Sequence, residues 1–237
     1  MIEYIFNISI CIVFALISYK LKILDALGSL SAGIIGLIIL LTKGWRWFIL
    51  LLIFLSLGAV VTKYKQDFKR KRLKERAARR AANVLANGIV PAFLAIISLK
   101  HDLTIPFISS IAVAFSDTLA SEIGVLSNNA YLITNLRKVE AGTNGAISLL
   151  GEFIALIGAI VISIFAYFLM KISFYEAILC IVFGLIGCHI DSLLGATFQG
   201  RYKGNLSGED AILTNSDVNL ISISITVLIS FIVVEMI

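Results

Sequence analysis

Apolar residues run along this chain in stretches of about seventeen to twenty-four, separated by short polar or basic connectors. A helix needs roughly 20 such residues to cross the hydrocarbon of a bilayer. The pattern predicts about eight spans, near 3–19, 25–42, 46–62, 83–99, 105–121, 147–170, 174–194 and 217–236. An open sheet cannot span lipid, because its edges would leave backbone groups unpaired. The expected fold class is therefore all-α: a polytopic transmembrane helical bundle forming a single integral membrane domain over 1–237. The first run has neither a basic leader nor a small-residue cleavage site, so it reads as a retained helix.

Composition agrees with this pattern. Of 237 residues 59% are hydrophobic and 15% charged, and mean hydropathy is +0.98. Cys11, Cys180 and Cys188 all lie within apolar runs, which excludes a disulfide framework and a zinc site. The net charge of +5 concentrates beside the spans, so its expected partner is an anionic lipid surface and not nucleic acid.

Charge also orients the chain. Ten of the twenty basic residues lie between Lys63 and Arg80. With that segment in the cytoplasm, alternating the loops places sixteen basic residues inside and four outside. This predicts both termini outside, a basic cytoplasmic helix or loop at 63–82, and a cytoplasmic active-site loop at 122–146. The bilayer expected is the plasma membrane.

The polar positions inside the spans are the chemically informative ones, because polar groups in hydrocarbon are expensive. Asn83 and Asn87 share a helix face at the start of the fourth span. Ser116, Asp117, Thr118, Ser121 and Glu122 close the fifth. Ser148 and Glu152 share a face at the start of the sixth. Asp191, Ser192, Gly195 and Gln199 recur at helical spacing near the end of the seventh, and Asp217 and Asn219 open the eighth. In the predicted topology all of these fall at the cytoplasmic ends of their spans. His189 lies two residues from Asp191, on a different face of the helix, and reads as a packing or supporting residue.

These residue types suit a metal and a polyphosphate. Asp117, Glu122, Asp191 and Glu152 offer hard oxygen ligands of the kind Mg²⁺ takes, with substrate phosphates completing its shell. Lys138 would neutralise a phosphate, and the loop Gly142-Thr143-Asn144-Gly145 would bind one through backbone N–H groups ahead of a helix N-terminus. Arg79 and Arg80 adjoin the polar start of the fourth span and are candidates to hold a phosphate there. Asn83, Asn87, Ser148, Ser192, Gln199 and Asn219 complete the candidate nucleotide- and phosphate-binding set. Asp117, Lys138 and Glu122 are the candidate catalytic residues. No Walker A sequence, Ser/His/Asp set or HExxH is present.

Three segments carry a family resemblance. Ser-Asp-Thr-Leu-Ala-Ser-Glu-Ile-Gly at 116–124, Lys-Val-Glu-Ala-Gly-Thr-Asn-Gly at 138–145 and Asp-Ser-Leu-Leu-Gly-Ala-Thr-Phe-Gln at 191–199 resemble the phytyl-phosphate kinases of tocopherol synthesis. Ala-Asn-Gly at 86–88 and Asp-Val-Asn at 217–219 fit as well. More distantly, Asp117, Ala120, Gly124, Lys138, Gly142 and Thr143 are similar to a pattern of dolichol kinases and CDP-diacylglycerol synthases. The resemblance implies a membrane-embedded, CTP-dependent kinase that uses Mg²⁺ to convert a polyprenyl monophosphate, phytyl or geranylgeranyl in type, to the diphosphate. The glycine-rich segment found between the two motifs in dolichol kinases is absent; Leu126 to Leu136 holds Asn128, Asn129, Tyr131 and Asn135 instead. The partners implied are an isoprenoid lipid monophosphate, a nucleoside triphosphate and the bilayer, with a homodimer left open. The residues alone also admit a CTP-dependent cytidylyltransferase acting on a lipid phosphate. A transporter for an ion or anion is the rival of another class; it would place its polar residues near the midplane in matched halves.

Overall fold

The computed structural model describes residues 2–65, 81–199 and 211–236. Eight helices account for the apolar runs: α1 (Ile2–Lys20), α2 (Ala26–Lys43), α3 (Trp45–Lys63), α4 (Ala81–Ile97), α5 (Thr104–Gly124), α6 (Leu149–Met170), α7 (Phe174–Phe198) and α8 (Asn215–Glu235). Seven of them are long and apolar enough to cross a membrane, and α4 is an apolar helix of 17 residues. The expected helical bundle is borne out. The basic segment expected at 63–82 lies for the most part outside the described residues, as do Arg79 and Arg80.

The ends of the helices follow local chemistry. Asp25 caps α2 by accepting from Gly28 N at 2.7 Å. Ser148 caps α6, accepting from Gly151 N at 3.0 Å. Ser173 with Glu176 and Thr214 with Asp217 form reciprocal capping boxes on α7 and α8. Asp217, part of the 217–219 motif, thus caps the start of α8. Outside the spans, the Thr104 hydroxyl donates to Asp102 at 2.6 Å and holds that carboxyl below its ordinary pKa.

Helix α5 is the axis of the bundle. Some 78% of its apolar window is buried, against 33% for α6 and α7 and 11% for α1. Its neighbours approach closely because they present small residues. A Cβ on Gly187 of α7 would lie 2.2 Å from Val113 Cγ2 and 2.7 Å from Thr226 Oγ1. Gly158 of α6 sits similarly against Ser116, with 3.1 Å to its Cα. This is the small-residue packing that membrane helices use where no hydrophobic force separates helix from lipid. Gly187→Val should therefore lower thermal stability in detergent, by about 1–3 kcal/mol as an overpacked core does.

The connection from α5 to α6 is where the structure departs from an all-helical chain. It folds into a small antiparallel sheet of β1 (Ala130–Leu132), β2 (Lys138–Val139) and β3 (Ala146–Ile147), in the order β2-β1-β3. Tyr131 pairs with Lys138 on one side and Ile147 on the other. Strands of two or three residues carry too little alternation for periodicity to reveal them. The sheet fixes the loop 140–145, which lies between β2 and β3.

Candidate active site

In an up-and-down bundle, the start of α4, the end of α5, the start of α6, the end of α7 and the start of α8 all meet at one end. Those are the segments that carry the polar residues. They enclose a cavity of about 200 Å³, roofed by the sheet and its loop. Of the residues singled out from sequence, Asn83, Asn87, Asp117, Glu122, Ser148, Glu152, Asp191, Ser192, Gln199 and Asn219 line it. Gly142, Thr143, Asn144 and Gly145 line it from the loop.

The carboxylates divide into distinct environments. Asp117 of α5 and Asp191 of α7 come within hydrogen-bonding reach of each other. Asp191 Oδ2 also accepts from Ser222 Oγ of α8 at 2.9 Å. The Asn219 amide lies in the same region, its NH₂ 3.3 Å from Asp191 Oδ2 and its other end turned to the side-chain amide of Asn87. Asp191 and the Asn215 carbonyl only accept, so the amide NH₂ faces them, donating to that carbonyl at 2.9 Å. Glu152 instead meets His189 Nε2 at 3.1 Å, while His189 Nδ1 lies 2.8 Å from the Leu185 carbonyl. Glu122 lines the cavity near the end of α5. Among the described residues no three His, Cys, Asp or Glu side chains gather at metal-ligand spacing. Of the four carboxylates singled out from sequence, Asp117 and Asp191 thus form a close pair, Glu152 engages His189, and Glu122 lines the same cavity.

The loop owes its shape to two glycines at positive φ, Gly142 at 91° and Gly145 at 69°. The Thr143 hydroxyl donates to the Glu140 carbonyl at 2.7 Å, and Ala146 N donates to the Thr143 carbonyl at 2.9 Å. Gly145 lies directly on α7: a Cβ there would fall 2.3 Å from Ala196 Cβ and 2.5 Å from the Ser192 carbonyl oxygen. Gln199 is 3% exposed, and its Nε2 has no acceptor among the described residues, an open donor in the cavity wall. Lys138 stands in β2, exposed, and is not among the residues lining the cavity.

Two features escape the sequence pattern. The Glu152–His189 contact joins residues of different helices that no spacing connects. Ser222 was legible in principle: Asn215, Asn219, Ser222, Thr226 and Ser230 form a polar stripe at helical spacing along α8. That stripe faces inward, with Ser222 1% and Thr226 0% exposed, and Ser216 Oγ donates to Asn83 Oδ1 at 3.0 Å.

A multi-pass helical membrane protein with one polar, carboxylate-bearing cavity at one end of the bundle is the class these observations define. The chain belongs to the family described as Integral membrane protein DUF92, which matches residues 9–227. It is 38% identical to an uncharacterized membrane protein of Methanocaldococcus jannaschii, over 91% of this chain and 88% of that one. It is 32% identical to Protein PGR of Arabidopsis thaliana, over 94% and 93% of the two chains. It is 30% identical to Protein VTE6, chloroplastic, of the same plant, over 85% of this chain and 62% of that one. The family resemblance carried by the 116–124, 138–145 and 191–199 motifs is borne out. No solved structure matches the chain significantly.

Proposed function

We propose that this protein is a CTP-dependent lipid-phosphate kinase that converts a polyprenyl monophosphate to its diphosphate, with Mg²⁺, at the cytoplasmic face of the plasma membrane. The observation that carries the reading is the Asp117–Asp191 pair, facing the Gly142–Gly145 loop across a cavity at one end of a membrane bundle. A water-soluble nucleotide and a lipid headgroup meet at such a place without extraction of the lipid.

The residues fit the metal. Two carboxylates in contact repel when both are ionised, and a divalent cation offsets that repulsion. Mg²⁺ is characteristically held by one or two carboxylates together with substrate phosphates, so a pair suffices. When bound there it supplies charge neutralisation for the triphosphate. The chain's own part is positioning. The 142–145 loop lines the cavity with backbone at positive φ, open to close approach by phosphate oxygens. Gln199 Nε2 offers a further donor. An oxygen of the lipid monophosphate attacks the γ-phosphorus, a new P–O bond forms, the β–γ bridging bond breaks, and CDP leaves. A dianionic acceptor needs no base, which agrees with phosphoryl transfer as mainly a matter of alignment and electrostatics.

Purified protein given polyprenyl monophosphate and labelled CTP tests the reading. γ-Label should enter the lipid and α-label should not; entry of α-label would instead mark a cytidylyltransferase. The orientation has its own test. His101 lies in the α4–α5 connection and Asn128 in the α5–α6 connection, at opposite ends of α5, and both are exposed. The native cysteines are buried, so background labelling is low. His101→Cys should react with an impermeant thiol reagent in intact cells and Asn128→Cys should not; the reverse pattern would put the cavity outside.

A further inference from the structure

We infer that the hydrocarbon tail of the lipid substrate enters an apolar passage between α2, α3 and α4, behind a collar formed by Asn83 and Asn87. The inference rests on the lipid-phosphate reading above and deepens it by placing the tail. Asn83 and Asn87 line the polar cavity on one side and a second, apolar cavity of about 30 Å³ on the other. The second cavity is walled by Ile35, Leu51, Phe54 and Leu55. Ala32, Leu51 and Leu55 are common to it and to a third cavity, of about 60 Å³, which reaches Gly36 and the α1 residues Cys11 and Phe14. Three cavities therefore follow one another from the polar site inward, each sharing lining residues with the next.

The direction of this series fits a lipid. The polar cavity lies at the end of the bundle where α2 begins, and Gly36 is ten residues into that helix. At 1.5 Å per residue the passage penetrates about 15 Å, roughly half the hydrocarbon thickness. Its chemistry changes in the order a lipid phosphate requires: carboxylates and loop amides first, then two neutral amides, then aliphatic and aromatic walls. Space is made by small residues. Gly88 admits Ile35, whose Cδ1 would lie 2.6 Å from a Cβ at that position. Ala32 is half-buried and borders both apolar cavities. Leu55 is half-buried too and stands between them, lining both. The outer wall is α1, the most exposed of the helices.

The passage makes Ala32 and Leu55 determinants of chain-length preference. The test compares geranyl, farnesyl and geranylgeranyl monophosphates with γ-labelled CTP, using the full chain in lipid nanodiscs. Ala32→Phe should lower the ratio of kcat/KM for the longest over the shortest acceptor by about tenfold, the scale on which an apolar pocket discriminates. Leu55→Ala should move the ratio the other way. An unchanged ratio in both variants overturns the inference. A second arm does not depend on turnover: a farnesyl monophosphate carrying a terminal diazirine is photolysed with the wild-type protein. Labelling within 30–36 and 48–56 supports the passage. Labelling confined to α6, α7 or α8, or equal protection by excess phosphatidic acid, overturns it. Failure of every monophosphate in the turnover arm would refute the kinase reading, and the photolabel would still decide where the tail lies.

Discussion

Asp117→Asn should leave the protein folded and inserted but reduce turnover by about 100-fold or more, since removing one charged ligand forfeits several kcal/mol of charge stabilisation. The substitution is nearly isosteric, so the packing of α5 is preserved. Asp191→Asn should lose activity similarly, although it also weakens the acceptor for Ser222 at 2.9 Å and disturbs the Asn219 bridge to α8. Stability separates this assignment from a merely structural one. Asp117 and Asp191 are in close contact, so without Mg²⁺ removing one charge should leave the melting temperature unchanged or raise it. Mg²⁺ should then raise the melting temperature of the wild type more than that of either variant, because a ligand of the native state stabilises by mass action. Raised Mg²⁺ should also restore part of the lost turnover. Full activity of Asp117→Asn at low Mg²⁺, or a lower melting temperature in metal-free buffer, would make the pair a helix-to-helix contact only.

The fold was legible where the physics is one-dimensional. Apolar run length locates all eight helices of the described residues, because lipid leaves the backbone no alternative to internal hydrogen bonding. The alternation of the spans brings Asn83, Asp117, Glu152, Asp191 and Asn219 to one end, and these five do line one cavity. The seventh helix continues to Phe198, beyond the expected end near 194, and carries Gly195 with it because small and polar residues at helical spacing still have a face to cover. What sequence could not supply was pairing across helices. Nothing in the spacing of Glu152 and His189 says that they touch, and nothing in four separated carboxylates says which two meet. Lys138 shows the limit from the other side: its place just ahead of the Gly142–Gly145 loop suggests the cavity, yet β2 leaves it exposed and outside the lining. The sheet itself was invisible, since three strands of two or three residues take their stability from register with one another and not from any pattern of their own.

The loop owes its position to Gly145, and Gly145→Ala should be the most damaging single-methyl change near the cavity. Two costs coincide there. The residue sits at φ 69°, where a side chain is strained. The added Cβ would also fall 2.3 Å from Ala196 Cβ, 2.4 Å from Ala196 N and 2.5 Å from the Ser192 carbonyl. Two of these are backbone atoms of α7, which no side-chain rotation can move aside, so either the loop lifts or α7 shifts. Lifting the loop also strains the sheet, because Ile133 N donates to the Gly145 carbonyl at 3.0 Å. Gly142→Ala is the natural comparison: it too has positive φ, at 91°, so it carries the same backbone strain. Both variants should lose nucleotide affinity, measured as KM for CTP. Gly145→Ala should in addition lower thermal stability and expose the loop to limited proteolysis, because its docking on α7 is broken. Equal stability and equal protease resistance in the two variants would mean that the loop does not depend on α7 for its position.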